Sequence, residues 1–321
     1  MMNDMNIFVD PDTKGELILE ENKLTSKSDV SYKINNQIPN LIFPTILPVA
    51  DENAKQFYQG RADQYDDTLH LTFFTHSLDE EKVRNSFIDK LALNEDSKVL
   101  EIACGTGRDS LLIAKRLSEN GELHMQDISE DMITKCFEKF KNNKTIKKSF
   151  CLSNAGYLPY PDNYFDATYS FGAVGEFSDK RKALKEMVRV TKPGGKVVFG
   201  DEGIPIWYRN TEFYKILVTT NPMFSEIPPL EDIPVEARSL NLQWVIGNSF
   251  YLIDFEVGVG EPLANFDFQI PGVRGGTYRT RYEGQLEGVN VETKKKAYEY
   301  VKSKGLNMHS WLDGIINEKI N

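Results

Sequence analysis

The stretch Val99–Ser110, VLEIACGTGRDS, constrains the fold of this chain more than any other. Its first five residues are apolar apart from Glu101, which is typical of a parallel strand covered on both faces. A glycine turn follows at residues 105–107, and Arg108–Glu119 then shows a helical pattern with one apolar face. Glycines let a ligand approach the backbone, and the free N–H groups at the start of a helix point toward it. The stretch therefore predicts an α/β protein with a nucleotide-like ligand at this turn.

Two classes of ligand fit a strand, a glycine turn and a helix. A dinucleotide site has the pattern G-x-G-x-x-G, in which the third glycine lets the helix pack on the strand. Ser110 stands at that third position here, which weakens the dinucleotide interpretation. The alternative pattern has an acid two places before a small residue, followed by G-x-G, and Glu101 and Ala103 fit it. The segments that follow at fixed offsets decide between the two.

Three later segments favour the second class. Gly121–Asp127 reads as a second strand that ends in an acid, and a carboxylate there can accept hydrogen bonds from both hydroxyls of a ribose. Ser129 is the predicted N-cap of the next helix. Ser153–Asp166, SNAGYLPYPDNYFD, follows the predicted third strand, and Arg189–Gly195, RVTKPGG, precedes the predicted fifth strand.

Together these segments resemble the class I S-adenosylmethionine (SAM) methyltransferases, and the ubiquinone/menaquinone type most closely, over about Tyr58 to Gly203. The resemblance implies an α/β fold with a Rossmann-like, seven-stranded, doubly wound sheet. It also implies SAM as the cofactor, and we expect no metal. The residues expected to contact the cofactor are Tyr65, Glu101, Ala103, Gly105, Gly107, Asp127, Ile128, Met132, Asn154, Ala155 and Phe171.

Several of these residues have an expected role. The resemblance places Asp127 at the ribose, a tyrosine, here Tyr65, near the methionine carboxylate, and Asn154 with Ala155 at the adenine. An asparagine carries both a donor and an acceptor, so its side chain can bond to a base edge. Glu101 either orients the glycine turn or meets the amino group of the cofactor.

Four side chains are candidate bases, and the sequence does not rank them. A histidine can remove a proton from a hydroxyl or amine near pH 7, which points to His70 and His76. Glu176 and Asp201 follow the predicted fourth and fifth strands, at the sheet edge where reacting groups collect. Each of the four has an alternative role in local packing or in hydrogen bonds that hold a loop.

The acceptor is expected to be a small molecule, methylated on a hydroxyl. Aromatic side chains are dense in Ile204–Val218, which fits an aromatic or hydrophobic metabolite. Two alternatives stay open. One is a SAM-binding module that regulates or stabilises a partner without catalysis, and the other is a dinucleotide oxidoreductase, which shares the strand, glycine turn and helix.

The chain is predicted to contain three parts. Residues 1–53 form a small β-rich module with strand-like fragments separated by the polar run Asn22–Asp29. Its ending, Gln37–Pro44, resembles zinc-ribbon-like modules, but it has no cysteine, so we predict no zinc. Residues 54–271 form the methyltransferase domain, and 272–321 a glycine- and arginine-rich loop with a helical tail. The first module is either a lid or interaction module, or a degenerate unit that packs on the core.

Three further local predictions concern the methyltransferase domain. Pro44 to Glu52 reads as a linker, because it combines prolines with acidic residues. Lys55–Tyr65 and Glu80–Leu91 read as helices. Phe250–Val257 and Phe266–Ile270 read as the antiparallel hairpin that finishes the sheet.

Composition limits the partners and the compartment. A net charge of −10 over 321 residues argues against nucleic acid as the main partner, because affinity for phosphate backbones comes largely from Lys and Arg. Three scattered cysteines favour a reducing compartment. The start, MMNDMNIFVD, lacks a basic segment, and no apolar run is long enough to span a membrane, so we expect neither a signal peptide nor membrane insertion. The expected location is the cytoplasm, and a homodimer is compatible with the sequence.

Overall fold

The computed structural model of the chain describes residues 5–283 and 289–321. Two stretches on which predictions were made extend beyond these residues: the N-terminal segment that begins at residue 1, and the glycine- and arginine-rich loop up to residue 288. The chain divides into one compact unit that ends at Glu261 and a second unit, Pro262–Asn321. Within the described ranges, no helix is both long and apolar enough to cross a bilayer.

The first unit begins with a small antiparallel sheet, here called the N-terminal sheet. Its strands pair in chain order: β1 (Leu17–Glu20), β2 (Lys23–Ser26), β3 (Ser31–Asn35) and β4 (Ile38–Pro39). The polar run Asn22–Asp29 was predicted to separate strand-like fragments, but it contains strand β2. Leu24 is buried at 1% exposure and Ser26 at 5%, so this polar-looking run places alternate side chains inward.

The second sheet has seven strands in the order β10-β11-β9-β8-β5-β6-β7. The five strands β7, β6, β5, β8 and β9 are parallel, and β11 is antiparallel to both β9 and β10. This arrangement confirms the Rossmann-like, doubly wound sheet. The strand bounds are β5 (Lys98–Ile102), β6 (Glu122–Asp127), β7 (Lys147–Leu152), β8 (Phe165–Phe171), β9 (Thr191–Glu202), β10 (Ala237–Val245) and β11 (Phe250–Val257).

Helices lie between the strands and before β5. Their caps follow the sequence: the Ser129 hydroxyl accepts the N–H of Met132, as predicted for an N-cap. The bounds in the first unit are α1 (Val49–Tyr58), α2 (Ala62–Thr68), α3 (His70–Thr75), α4 (Glu80–Ile88), α5 (Arg108–Ala114), α6 (Glu130–Lys139), α7 (Lys180–Val190) and α8 (Glu212–Thr220).

Two predictions before β5 were wrong. The segment from Pro44 to Glu52 is not simply a linker, because α1 begins at Val49 and buries Asp51. The single helix predicted over Lys55–Tyr65 is two helices, since Gly60 has a φ of +73° and separates α1 from α2. The predicted single helix therefore missed the turn at Gly60. The N–H of Gly60 donates to Asp131 at the start of α6.

The predicted final hairpin was also wrong in one strand. The partner of β11 is β10, which precedes it, and Phe266–Ile270 lies in no strand. Four residues, 246–249, join β10 to β11, and the first three have positive φ, which reverses the chain tightly. The sequence signal for β10 was overlooked, since Ser239–Trp244 (SLNLQW) alternates polar and apolar residues as a half-buried strand does.

Buried side chains form a core on each face of the seven-stranded sheet. One core includes Phe8, Leu24 and Leu41 of the N-terminal segment together with Phe199 of β9. The Leu41 N–H donates to the Leu152 carbonyl at 2.8 Å, which attaches the segment after β4 to the edge strand β7. The N-terminal sheet therefore covers an edge that would otherwise expose unpaired backbone groups.

The described residues of the second unit, 262–283 and 289–321, form three helices. They are α9 (Tyr278–Glu283), α10 (Val291–Ser303) and α11 (Met308–Ile320). α10 and α11 lie in the predicted helical tail, and Asn290 caps α10 by accepting the N–H of Thr293.

Candidate active site

A cavity opens at the carboxyl ends of the parallel strands, where β5 and β8 lie on either side of the point at which the strand order reverses. In open α/β sheets ligands bind at such a point. Of the eleven predicted cofactor residues, the cavity lining contains all except Gly107: Tyr65, Glu101, Ala103, Gly105, Asp127, Ile128, Met132, Asn154, Ala155 and Phe171.

The two glycines of the turn after β5 differ in what surrounds them. Gly105 has a φ of +54°, and a Cβ added there would meet nothing within 4 Å. It therefore leaves open space on the cavity side, into which a ligand can approach the backbone. Gly107 has a φ of +83° and caps α5, and a Cβ there would lie 2.6 Å from the Cys136 sulfur. Gly107 is thus required for packing between α5 and α6.

Asp127, at the end of β6, is linked to the same turn. Its Oδ2 accepts the N–H of Gly105 at 2.8 Å, and its Oδ1 accepts the N–H of Ser129 at 2.9 Å. Burial raises the pKa of Asp127 to about 6, although these backbone bonds favour the ionised form. The carboxylate and the glycine turn therefore form one rigid corner of the cavity.

Glu101 is buried at the base of the cavity. The Ser110 hydroxyl donates a hydrogen bond to its carboxyl. Ser110 stands where a dinucleotide site has its third glycine, and a glycine there could not make this bond. Burial, with the nearby charge of Asp109, raises the pKa of Glu101 well above its usual value. The Nη1 of Arg84 donates to both carboxylate oxygens of Asp109, at 2.9 and 3.0 Å.

Asn154 is placed at the cavity, but its amide already has protein partners. Its Nδ2 donates to Asp51 at 2.8 Å, and its Oδ1 accepts the N–H of Gly156 at 2.8 Å. Asp51 lines the same cavity and was missed from the sequence, because it stood in a segment interpreted as a linker. The arrangement indicates that Asn154 shapes this side of the cavity.

Of the four candidate bases, only Glu176 lines the cavity. The Tyr58 hydroxyl donates to its Oε1 at 3.3 Å. Burial and the nearby charge of Asp201 raise the pKa of Glu176 to about 7. A carboxylate with that pKa accepts a proton efficiently at neutral pH.

Asp201 lies behind Glu176 and outside the cavity lining. It is almost fully buried and accepts the backbone N–H groups of Gly175 and, at 2.8 Å, of Glu202. These bonds give it the role of holding the turn that carries Glu176. Its neighbour Glu202, not among the sequence candidates, lines the cavity instead, and burial and Asp201 raise its pKa well above the usual value.

The two candidate histidines lie elsewhere. His70 is exposed at the start of α3, and neither it nor His76 lines the cavity. The His76 ring is 3.2 Å from the Ser249 hydroxyl and packs beside Gly247. Burial lowers the pKa of His76, so it is mostly neutral at pH 7. The structure does not bring either histidine together with Glu176.

The acidic side chains around the cavity fit a cationic ligand, whose charge would favour their ionised forms. Carboxylates predominate in the lining, and its two arginines are already paired: Arg84 with Asp109, and Arg108 with Asp66 and Glu80. SAM carries a sulfonium and an ammonium group, which an acidic site attracts. The space at Gly105 and the fixed carboxylate of Asp127 suit its ribose half. In the part of the chain that the structure describes, no group of three His, Cys, Asp or Glu residues is arranged to bind a metal ion.

Comparison with known proteins identifies the family. A family model described as "ubiE/COQ5 methyltransferase family" matches residues 48–219. The chain belongs to the ubiE/COQ5 methyltransferase family. This membership confirms the resemblance seen in the sequence and SAM as the cofactor expected from it. The likeness of the N-terminal segment to zinc-ribbon modules stays a prediction.

Individual relatives match over a shorter range. The "Ubiquinone/menaquinone biosynthesis C-methyltransferase UbiE" of Proteus mirabilis is 36% identical over 121 residues, which cover 37% of this chain and 48% of that protein. The Yersinia enterocolitica protein of the same name is 38% identical over 113 residues, or 35% of this chain and 45% of that protein. The chain therefore spans about half the length of the curated relatives that it matches.

A solved structure shows the same fold at low sequence identity. Phosphoethanolamine N-methyltransferase 2 of Haemonchus contortus, in complex with S-adenosyl-L-methionine, has a TM-score of 0.50 and 14% identity. The match covers 68% of this chain and 62% of that one. At this identity the likeness concerns the fold alone.

Proposed function

We propose that this chain is a SAM-dependent methyltransferase that methylates a carbon atom of a small, hydroxylated aromatic acceptor. The observation that carries the proposal is the Asp127 carboxylate bound to the Gly105 N–H beside an acid-lined cavity. Methylation of a hydroxyl, which the sequence suggested, has no support from the relatives, since they are named C-methyltransferases. Family membership likewise does not favour the alternatives of a non-catalytic module or an oxidoreductase.

The residues around the cofactor position bind and orient it. When bound, SAM supplies a methyl group on a sulfonium, which is already a strong electrophile. Asp127 accepts hydrogen bonds from the ribose, and the backbone at Gly105 approaches the ligand closely. The protein then contributes chiefly by aligning the acceptor with the reacting bond and excluding water.

Glu176 is the proposed base. Its carboxylate removes the hydroxyl proton of the acceptor, which makes the ring carbons beside that hydroxyl more nucleophilic. The Tyr58 hydroxyl, which donates to Glu176, orients the carboxylate toward the cavity. The ring carbon would take the methyl group as the sulfonium–methyl bond breaks and S-adenosylhomocysteine leaves. That carbon would then lose its proton to water, and Glu176 would return its own proton to the oxygen of the re-aromatised ring.

Aromatic side chains on the lining support an aromatic acceptor. Phe171 and Phe250 lie on the cavity, and their rings stack with centroids 5.6 Å apart. Phe73 adds a third ring to the lining. A flat apolar acceptor gains favourable contacts with such rings.

Transfer of a ¹³C-labelled methyl group from SAM tests this proposal. The chain is incubated with labelled SAM and a panel of hydroxylated aromatic compounds, and the products are analysed by NMR. A new methyl resonance on a ring carbon is the expected result. A methoxy resonance would overturn carbon methylation, and binding of SAM without any transfer across the panel would favour a non-catalytic module.

We also propose that the protein is cytoplasmic and that it forms a homodimer. The three cysteines are all free and buried, which fits the reducing cytoplasm. Size-exclusion chromatography with light scattering tests the homodimer that the sequence allows, and a monomer would contradict it.

A further inference from the structure

Helix α1 contacts the active site at both of its ends. In its first turn, Asp51 lines the cavity, and at its last residue, Tyr58, a hydroxyl donates to Glu176. The turn that carries Glu176 and the turn that carries Asn154 come from different strands. Helix α1 contacts both turns through side chains.

The contacts of Asp51 are unusually complete for a side chain near a helix start. Its Oδ2 accepts the Asn154 amide at 2.8 Å and the Ser178 hydroxyl at 2.7 Å. Its Oδ1 accepts the Ser178 N–H at 2.9 Å. Only 6% of Asp51 is exposed. The three donors and its place in the first turn of α1 stabilise the buried charge.

These bonds join two functional parts of the cavity. Asn154 begins the turn proposed to meet the adenine, and its other amide atom accepts the Gly156 N–H within that turn. Ser178 follows directly after the turn that ends in Glu176 and Phe177. The side chain of Asp51 therefore fixes the proposed adenine side and the proposed base relative to each other.

We propose that Asp51 is a positioning residue, which couples cofactor binding to the placement of Glu176 through helix α1. The inference rests on the proposed function. Glu176 faces Tyr58 from α1, Asp201 and Glu202 from β9, and Asp127 from β6. Its burial among these groups depends on the turn that Asp51 holds, so loss of the carboxylate should affect both the affinity for the cofactor and the protonation of the base.

Asp51→Asn tests the coupling, with Glu52→Gln as its matched control. Asparagine has the same shape but offers one oxygen, so either Asn154 or Ser178 loses an acceptor. Glu52 is the neighbouring acid on α1, and its carboxylate accepts from Gln56 in an exposed position. Affinity for S-adenosylhomocysteine is measured by calorimetry, and the pH profile of kcat is measured with the acceptor found above.

Asp51→Asn should weaken S-adenosylhomocysteine binding ~10-fold, as expected for one lost hydrogen bond to a charged group. It should also move the acid limb of kcat to lower pH, because a more hydrated Glu176 ionises more readily. Glu52→Gln should change neither. A lower Tm with both readouts unchanged, or a change in only one of them, would overturn the coupling.

Ser178→Ala provides a second variant that is safe for folding, because Ser178 is exposed. The substitution removes the hydrogen bond from the Ser178 hydroxyl to Asp51 and leaves the bond from Asn154 to Asp51 intact. The acid limb of the kcat profile should therefore move to lower pH, while the affinity for S-adenosylhomocysteine stays the same. An unchanged limb would overturn the inference. Failure of the unaltered chain to bind S-adenosylhomocysteine would overturn the proposed function and, with it, this inference, whereas unchanged variants overturn the inference alone.

Discussion

At the scale of single residues, the glycine turn after β5 shows how one motif serves two physical needs. Gly105 leaves space in the cavity, and Gly107 leaves space between α5 and α6. The sequence predicted both as cofactor residues, because a G-x-G pattern does not show what faces each glycine. Which neighbour would meet an added Cβ depends on Cys136, 29 positions away from the second glycine, and only the fold brings the two together.

Alanine substitutions of the two glycines should therefore have different effects. Gly107→Ala should lower the free energy of unfolding by ~2–4 kcal/mol, since strain at positive φ adds to a clash with the Cys136 sulfur. Gly105→Ala should lose only ~1–2 kcal/mol from the strain but bind S-adenosylhomocysteine much more weakly. Urea unfolding and calorimetry measure the two quantities. Equal losses of stability in both variants would contradict this assignment, and Cys136→Ala should partly rescue Gly107→Ala.

Glu176 should have a pH-dependent effect on folding stability, which can be measured without a methyl acceptor. Its pKa is raised to about 7 from 4.5, so folding favours the protonated form. That contribution is fully present below pH 4.5 and is lost as the pH rises through about 7. Glu176→Gln should consequently raise the Tm relative to the unaltered chain at pH 8 and leave it similar at pH 4.5. Thermal unfolding at the two pH values measures this, and an equal difference at both would contradict the raised pKa.

At the scale of elements, strong local patterns were predictable and weak ones were not. β8 and the helix begun by Ser129 formed where the sequence predicted them, because a buried strand and an N-cap are visible in a few residues. The break at Gly60 and the pairing of β10 with β11 were missed. Both depend on backbone turns with positive φ, which side-chain patterns do not reveal.

The turn between β10 and β11 gives a prediction at this scale. Gly247 has a φ of +63°, and an added Cβ would lie 2.2 Å from the His76 ring. Gly247→Ala should destabilise the first unit by ~2–4 kcal/mol, through backbone strain and the clash. Urea unfolding measures the loss, with Gly260→Ala as the control, because Gly260 also has positive φ but open space around it. A loss no larger than that of the control would show that His76 does not pack against this turn.

At the scale of the whole molecule, the N-terminal sheet is joined to the core of the first unit. Leu41 is fully buried in a cluster shared with the seven-stranded sheet, and its backbone bonds to Leu152 of β7. The sequence showed a β-rich segment but not its attachment, because the contacts join residues more than a hundred positions apart. The role of Asp51 could not be predicted from the sequence for the same reason, because its partners Asn154 and Ser178 are also more than a hundred positions away.

Leu41→Ala should therefore destabilise the first unit as a whole. The loss should be ~2–5 kcal/mol, typical of a buried leucine replaced by alanine. Trp207 and Trp244 lie in the first unit outside the N-terminal sheet, so with Trp311 of the second unit replaced by phenylalanine, tryptophan fluorescence reports on the remaining part of the first unit. Urea unfolding followed by fluorescence and by circular dichroism should shift together. A fluorescence transition that does not move would show that the N-terminal sheet unfolds independently.

The central claim is that Asp127 and the glycine turn form the binding site for the ribose of the cofactor. Calorimetric titration with S-adenosylhomocysteine, comparing the unaltered chain with Asp127→Ala, tests it most directly. The account predicts binding at one site per chain, weakened by ~1–3 kcal/mol in the variant through the loss of a charge-assisted hydrogen bond. Absence of binding by the unaltered chain, or equal affinity of the two proteins, would contradict it.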